Sequence, residues 1–205
     1  MAKQCIITLT AANRIGILAA VTNAMDELGG DLQEVSQTVV QKFFTLILAA
    51  EFPDHRELQV IVDHIRDVCR PYGIEVCLKD SLQERLPEAP ADGAETYFAT
   101  ITGYDKPGIM REISARLAQE QIDVTDLYAL RNKADCCFVL MMELAVPPEV
   151  DPLSLQKDLE DLGRTIDLSA TLTHETEFDV ARDLRPTRVT AVRHLQQFVS
   201  KPELR

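Results

Sequence analysis

Tyr104-Asp105-Lys106-Pro107-Gly108-Ile109-Met110 decides how this chain is read, because Asn13-Arg14-Ile15-Gly16-Ile17-Leu18 repeats its pattern 92 positions earlier, Gly16 against Gly108. A strand-like run leads into each copy, Ile6-Ile7-Thr8-Leu9-Thr10 in the first and Phe98-Ala99-Thr100-Ile101-Thr102 in the second. A helical pattern leaves each copy. Ile17, Val21, Met25 and Leu28 recur every three or four residues, as do Ile109, Ile113 and Leu117. A strand that enters a polar turn and exits through Gly into a helix presents unpaired backbone N–H groups at the positive end of the helix dipole. Such a turn can seat a carboxylate or a phosphate. The glycine also has a purely structural use there, a positive φ angle or close packing.

Outward from the first turn, the pattern predicts a strand over 4–10, a helix over 16–29 stopped by Gly29-Gly30, and an extended segment over 31–40. Gln41-Lys42 make a turn, and the apolar run 43–52 has the length of a central strand. Pro53-Asp54 then opens a helix with Leu58, Ile61, Val62, Ile65 and Val68 on one face. Pro71-Tyr72-Gly73 stops it before a strand over 74–78. The order is strand, helix, strand, strand, helix, strand.

Residues 82–95, with Pro87, Pro90 and Gly93 among acidic and small residues, read as a linker between a domain over 1–81 and a second over 96–173. The second repeats the order: strand 96–103, helix 108–121, strands 123–131 and 135–146, helix 152–163 and strand 166–173. The 92-residue offset carries Asp123 onto Asp31, Val139 onto Ile47, Leu140 onto Leu48 and Glu143 onto Glu51, which marks an internal duplication. The tail, 174–205, has no counterpart. It reads as a short acidic helix, then, after Pro186, an amphipathic helix with Val189, Val192, Leu195 and Val199 on one side. Its expected use is to cover a sheet or a dimer contact, with a partner-binding arm as the alternative.

Composition excludes several functions. The chain has 205 residues, 46% of them apolar, enough for two packed cores. Lys and Arg number 21 against 33 Asp and Glu, a net charge of −12, so direct nucleic-acid binding is not expected. Phe43-Phe44 opens a strand as the stacking aromatics of an RNA-recognition fold do, but the basic consensus around them is missing. No apolar run approaches the ~20 residues that span a bilayer, and Met1-Ala2-Lys3-Gln4-Cys5 leads straight into a strand, so the expectation is a cytoplasmic protein without a membrane segment. Five cysteines, two of them adjacent at Cys136-Cys137, do not form a disulfide framework, and no spacing suits a metal. No nucleophile elbow, Cys-His pair or phosphate-cradling glycine loop is present, so no catalytic residue and no cofactor is assigned.

Asp105-Lys106-Pro107-Gly108-Ile109, opening the first helix of a strand-helix-strand-strand-helix-strand repeat, resembles the ACT domain, a small-molecule-sensing module. In the first copy Asn13 stands for the Asp and Ile15 for the Pro, while Gly16 and Ile17 remain. Val35-Ser36-Gln37-Thr38, followed by Phe44-Thr45-Leu46-Ile47-Leu48, is similar to the stand-alone tandem ACT proteins that include glycine cleavage system transcriptional repressors. The resemblance covers about 4–173. It implies an α+β chain of two ferredoxin-like βαββαβ domains, each a four-stranded antiparallel sheet with two helices on one face, plus the helical tail.

The resemblance also implies amino-acid sites where two ACT domains meet, built from the first turn of one and the second strand of the other. The candidate ligand residues are therefore Asn13, Arg14, Ile15, Gly16, Ile17, Leu18, Ser36, Gln37, Asp105, Lys106, Pro107, Gly108, Ile109 and Met110. Turn N–H groups would hold an α-carboxylate, and Asp105 or Asn13 would accept from the α-ammonium. Asn13 is uncharged and Ile15 leaves its turn less rigid than Pro does, so the second turn is the better candidate. A small amino acid such as glycine or serine, a regulated protein partner and a homodimer complete the expectation.

Overall fold

The computed structural model describes residues 3–80, 92–131, 137–165 and 167–179. The expected amphipathic helix at 189–199, Cys136 and most of the 82–95 segment lie outside these. The chain divides into two compact units on either side of Pro87 and Glu88.

The first unit runs β1 (Lys3–Ala12), α1 (Ile17–Glu27), β2 (Asp31–Val40), β3 (Phe43–Phe52), α2 (Leu58–Val68), a 3₁₀ turn (Arg70–Tyr72) and β4 (Glu75–Asp80). Its strands form one antiparallel sheet in the order β2-β3-β1-β4. Alternation explains why one face is covered. Cys5, Ile7, Leu9 and Ala11 of β1 and Phe44, Leu46, Leu48, Ala50 and Phe52 of β3 turn inward, where they join Ile17, Val21 and Met25 of α1 and Ile61 and Ile65 of α2 in one core. Each large side chain buried this way stabilises the unit by roughly 1.5–3 kcal/mol against exposure. His64 of α2 and Glu27 of α1 pair at 2.7 Å at the helix surface.

The second unit repeats this order: β5 (Glu95–Tyr104), α3 (Ile109–Gln119), β6 (Asp123–Arg131), β7 (Cys137–Val146), α4 (Pro152–Thr165) and β8 (Leu168–His174), with sheet order β6-β7-β5-β8. A five-residue helix, α5 (Glu175–Asp179), follows where the sequence pattern placed an acidic helix. The core joins Tyr97, Ala99 and Ile101 of β5, Leu140, Met142 and Leu144 of β7, Ile109, Ile113 and Leu117 of α3, and Leu155 and Leu159 of α4.

The duplication extends to irregular features. A register shift falls between Leu32 and Glu34 in β2, and between Val124 and Asp126 in β6, 92 residues on. Beyond the second hairpin the offset changes. Leu9 pairs with Leu46 and its counterpart Ile101 with Leu140, so β7 is displaced by 94 residues from β3. Met141 therefore matches Ile47, Met142 matches Leu48 and Ala145 matches Glu51, which corrects the matching of Val139, Leu140 and Glu143 read from the sequence. Strand side chains alternate with period two, so a two-residue slip preserves every inward position and is invisible in the hydrophobic pattern.

Candidate functional site

Each turn begins where the central strand of its sheet ends. In the first, the Asn13 amide donates to the Lys42 carbonyl at 2.8 Å, tying the turn to the β2–β3 hairpin. The Arg14 guanidinium reaches the Pro71 carbonyl at 3.4 Å, and Ile15 stands fully exposed. Gly16 caps α1 with φ 93°, in the left-handed region that favours glycine, and no side chain accepts from the first-turn amides. Tyr72 leans over this turn: a Cβ on Gly16 would lie 2.5 Å from its hydroxyl oxygen.

The second turn has the same backbone and different surroundings. Gly108 has φ 95°, and its carbonyl accepts from the Glu112 amide at 3.0 Å. No side chain caps α3 either. A Cβ on Gly108 would meet nothing closer than Arg111 Nη2 at 3.7 Å and Glu112 Oε1 at 3.9 Å, so this turn is sterically open. Asp105 is paired with Arg131, Nε to Oδ2 at 3.1 Å, and Lys106 with Asp167 at 2.8 Å. The bond from Lys106 holds the Asp167 carboxyl below its ordinary value.

The structure sorts the other candidates by side-chain direction. Ile17 and Ile109 are core residues, 3% and 4% exposed, so only their backbone amides are available to a ligand. Leu18 and Met110, equivalent positions, are 42% and 41% exposed on the outside of the helix start. Pro107 is exposed. Ser36 pairs with Ile47 on the open sheet face, whereas Gln37 pairs with Leu46 and turns the other way. Ala12 and Val40 share the final register step with Phe43, so Gln37 and Ser36 lie three and four residues back, about 10–13 Å along the strand. Within one unit, turn and strand candidates are therefore not brought together.

Sequence reasoning missed Arg131, Asp167 and Tyr72. The first two reach the turn only through the hairpin and the α4–β8 loop, and the local pattern around Tyr72 shows only a helix stop. Among the described residues, no group of three His, Cys, Asp or Glu side chains converges as a metal site would. No helix among them is long and apolar enough to cross a membrane. Cys5 and Cys69 are buried thiols, and burial pushes both above the ordinary value.

The ACT domain profile matches residues 95–173. A UPF0237 protein of Methanosarcina acetivorans is 33% identical over 75 residues, covering 36% of this chain and 82% of that protein. The chain belongs with the UPF0237 proteins in the ACT domain family. A UPF0237 protein of Corynebacterium efficiens is 45% identical over 49 residues, and the chain spans only 55% of its length. Two solved structures resemble both ACT units. A protein of Galdieria sulphuraria superposes with TM-score 0.69 at 14% identity, over 85% of this chain and 99% of that one. A candidate glycine cleavage system transcriptional repressor does so with TM-score 0.60 at 17% identity, over 85% and 98%. At these identities the likeness is one of fold.

Proposed function

We propose that this tandem ACT protein is a regulatory amino-acid receptor, not an enzyme, and that it signals through contact with another protein. The observation that carries this reading is the second turn: an uncapped helix start behind Gly108, open to solvent, with the Asp105 carboxylate beside it. Backbone amides there would take an α-carboxylate, and Asp105 an α-ammonium, a charge-assisted bond of about 1.5–3 kcal/mol. A ligand with both groups and little side chain, glycine or serine, suits this arrangement. The first turn, roofed by Tyr72 and without a charged acceptor at Asn13, would bind less strongly. Ser36 and Gln37 would reach a ligand only from a neighbouring ACT unit.

The fold likeness to a candidate glycine cleavage repressor supports control of amino-acid metabolism as the setting, in the cytoplasm and without direct DNA contact. At a net charge of −12 the protein repels duplex phosphates, so any effect on transcription would pass through a protein partner.

A second reading, an assembly module with no ligand, is favoured by the ion pairs Asp105–Arg131 and Lys106–Asp167, which already satisfy the charges at the second turn. A thermal-shift panel of the twenty amino acids separates the two. A native-state ligand at 100 times its Kd adds about 2.7 kcal/mol, several degrees in Tm. The receptor reading expects such a rise for a small amino acid, and a flat panel supports the module.

A further inference from the structure

We infer that two copies of this chain pair through the β4 edges of their first units, antiparallel about Cys77, with Glu75 of each strand opposite Lys79 of the other. β4 and β8 are equivalent edge strands of their sheets. Val76 faces Leu9 where Ala170 faces Ile101, and Leu78 faces Ile7 where Leu172 faces Ala99. The two edges are closed to different extents. In the second unit the Gln156 side-chain amide donates to the Ala170 carbonyl at 3.2 Å and accepts from the Leu172 amide at 2.5 Å. A neighbouring strand would use the same two groups, so Gln156 occupies the β8 edge from within the unit.

The first unit lacks this closure. Ile61 and Ile65 of α2 match Leu155 and Leu159 of α4 in the two cores, which sets Val62 where Gln156 stands. A valine side chain neither donates nor accepts. Arg66, one turn further along α2, donates to the Val76 carbonyl at 3.3 Å. That carbonyl keeps a second lone pair, and the Leu78 amide, equivalent to the one Gln156 binds, is left to an incoming strand.

Charge along β4 selects the occupant. An antiparallel neighbour bonds through residues whose N–H and C=O groups face outward, here Val76 and Leu78. A second β4 that sets Val76 against Leu78 makes this exchange twice, about a two-fold axis through Cys77. Glu75, Cys77 and Lys79 are exposed on the other side of the strand from the core. In this register Glu75 stands opposite Lys79 at both ends, two cross-strand pairs of opposite charge. Centring the axis on Val76 would set Glu75 against Cys77, and centring it on Leu78 would set Lys79 against Cys77. Neither alternative matches charge with charge. The strand is thus complementary to itself in one register, as an isologous contact requires.

That register also places Cys77 directly opposite its own copy, in a non-hydrogen-bonded pair with Cα atoms about 4.5 Å apart, within disulfide reach. Diamide oxidation of the full chain at micromolar concentration, followed by mass spectrometry of unreduced peptides, tests this. The Cys77 peptide should be found joined to itself, at a rate that falls on dilution. Glu75→Lys and Lys79→Glu each put like charges opposite one another and should slow the linkage about tenfold. The double variant Glu75→Lys/Lys79→Glu restores the pairing and should return the rate to within about twofold of wild type. A dimer in sedimentation that yields no Cys77 self-linkage would overturn the inference. So would single variants that link as fast as wild type, or a double variant as slow as the singles.

Discussion

The two turn glycines share a backbone conformation and differ in what surrounds them, which makes their substitution informative. Alanine at φ 93–95° is strained at either position, by about 1 kcal/mol. At Gly108 the added methyl has room; at Gly16 it meets the Tyr72 hydroxyl at 2.5 Å and must displace the ring. Gly16→Ala should therefore destabilise the first unit by about 1 kcal/mol more than Gly108→Ala destabilises the second. In a Tyr72→Phe background this excess should vanish, since the next ring atom lies 3.6 Å away. Urea unfolding of the four variants reads this directly, and equal costs with and without Tyr72→Phe would contradict it. Both glycines were legible in the sequence, as punctuation between a strand and a helix. Their neighbours were not: Arg131 meets Asp105 from the far end of another strand, and no local pattern announces a contact 26 positions away.

The ends of the helices show how one architecture tolerates different residues. After α1, the Gly30 amide reaches back to the Met25 carbonyl and Gly29 takes φ 71°; after α3, the Ile122 amide reaches back to Leu117 and Gln121 takes φ 56°. Both are left-handed helix stops, but only the first has the glycine that makes the stop visible in sequence. Before the last strand the contrast recurs, with Gly73 at φ 60° in one unit and Asp167 at φ 56° in the other. Gln121→Gly should thus relieve strain and stabilise the second unit by about 0.5–1 kcal/mol, a rise of a few degrees in its Tm. Asp167→Gly should gain less, because it gives up the pair with Lys106. A lower Tm for Gln121→Gly would refute this account of the stop. Strand order and helix positions were readable because apolar period and length agree at every element. The two-residue slip in β7 was not, because it moves no side chain to the other face.

At the scale of the molecule, the first unit exposes Val40, Phe43 and Ile47 on its open face and Val35 on its edge strand, and we expect a second copy to cover them in a homodimer. Sedimentation at micromolar concentration should give twice the chain mass; a strict monomer would contradict this. Such a dimer would also supply what one unit lacks, a β2 strand placed against another unit's turn. The paired fold was legible in the sequence because the turn occurs twice. Which turn is open was not, since that depends on Tyr72, Arg131 and Asp167 arriving from elsewhere. The proposed receptor role requires the second turn to hold an amino acid by its charged ends. Titration calorimetry, with the amino acid that most raises Tm, on wild type, Asp105→Ala and Asn13→Ala decides this. Asp105→Ala should weaken binding about tenfold or more and Asn13→Ala should do less; wild-type affinity in Asp105→Ala would remove this turn from the ligand site.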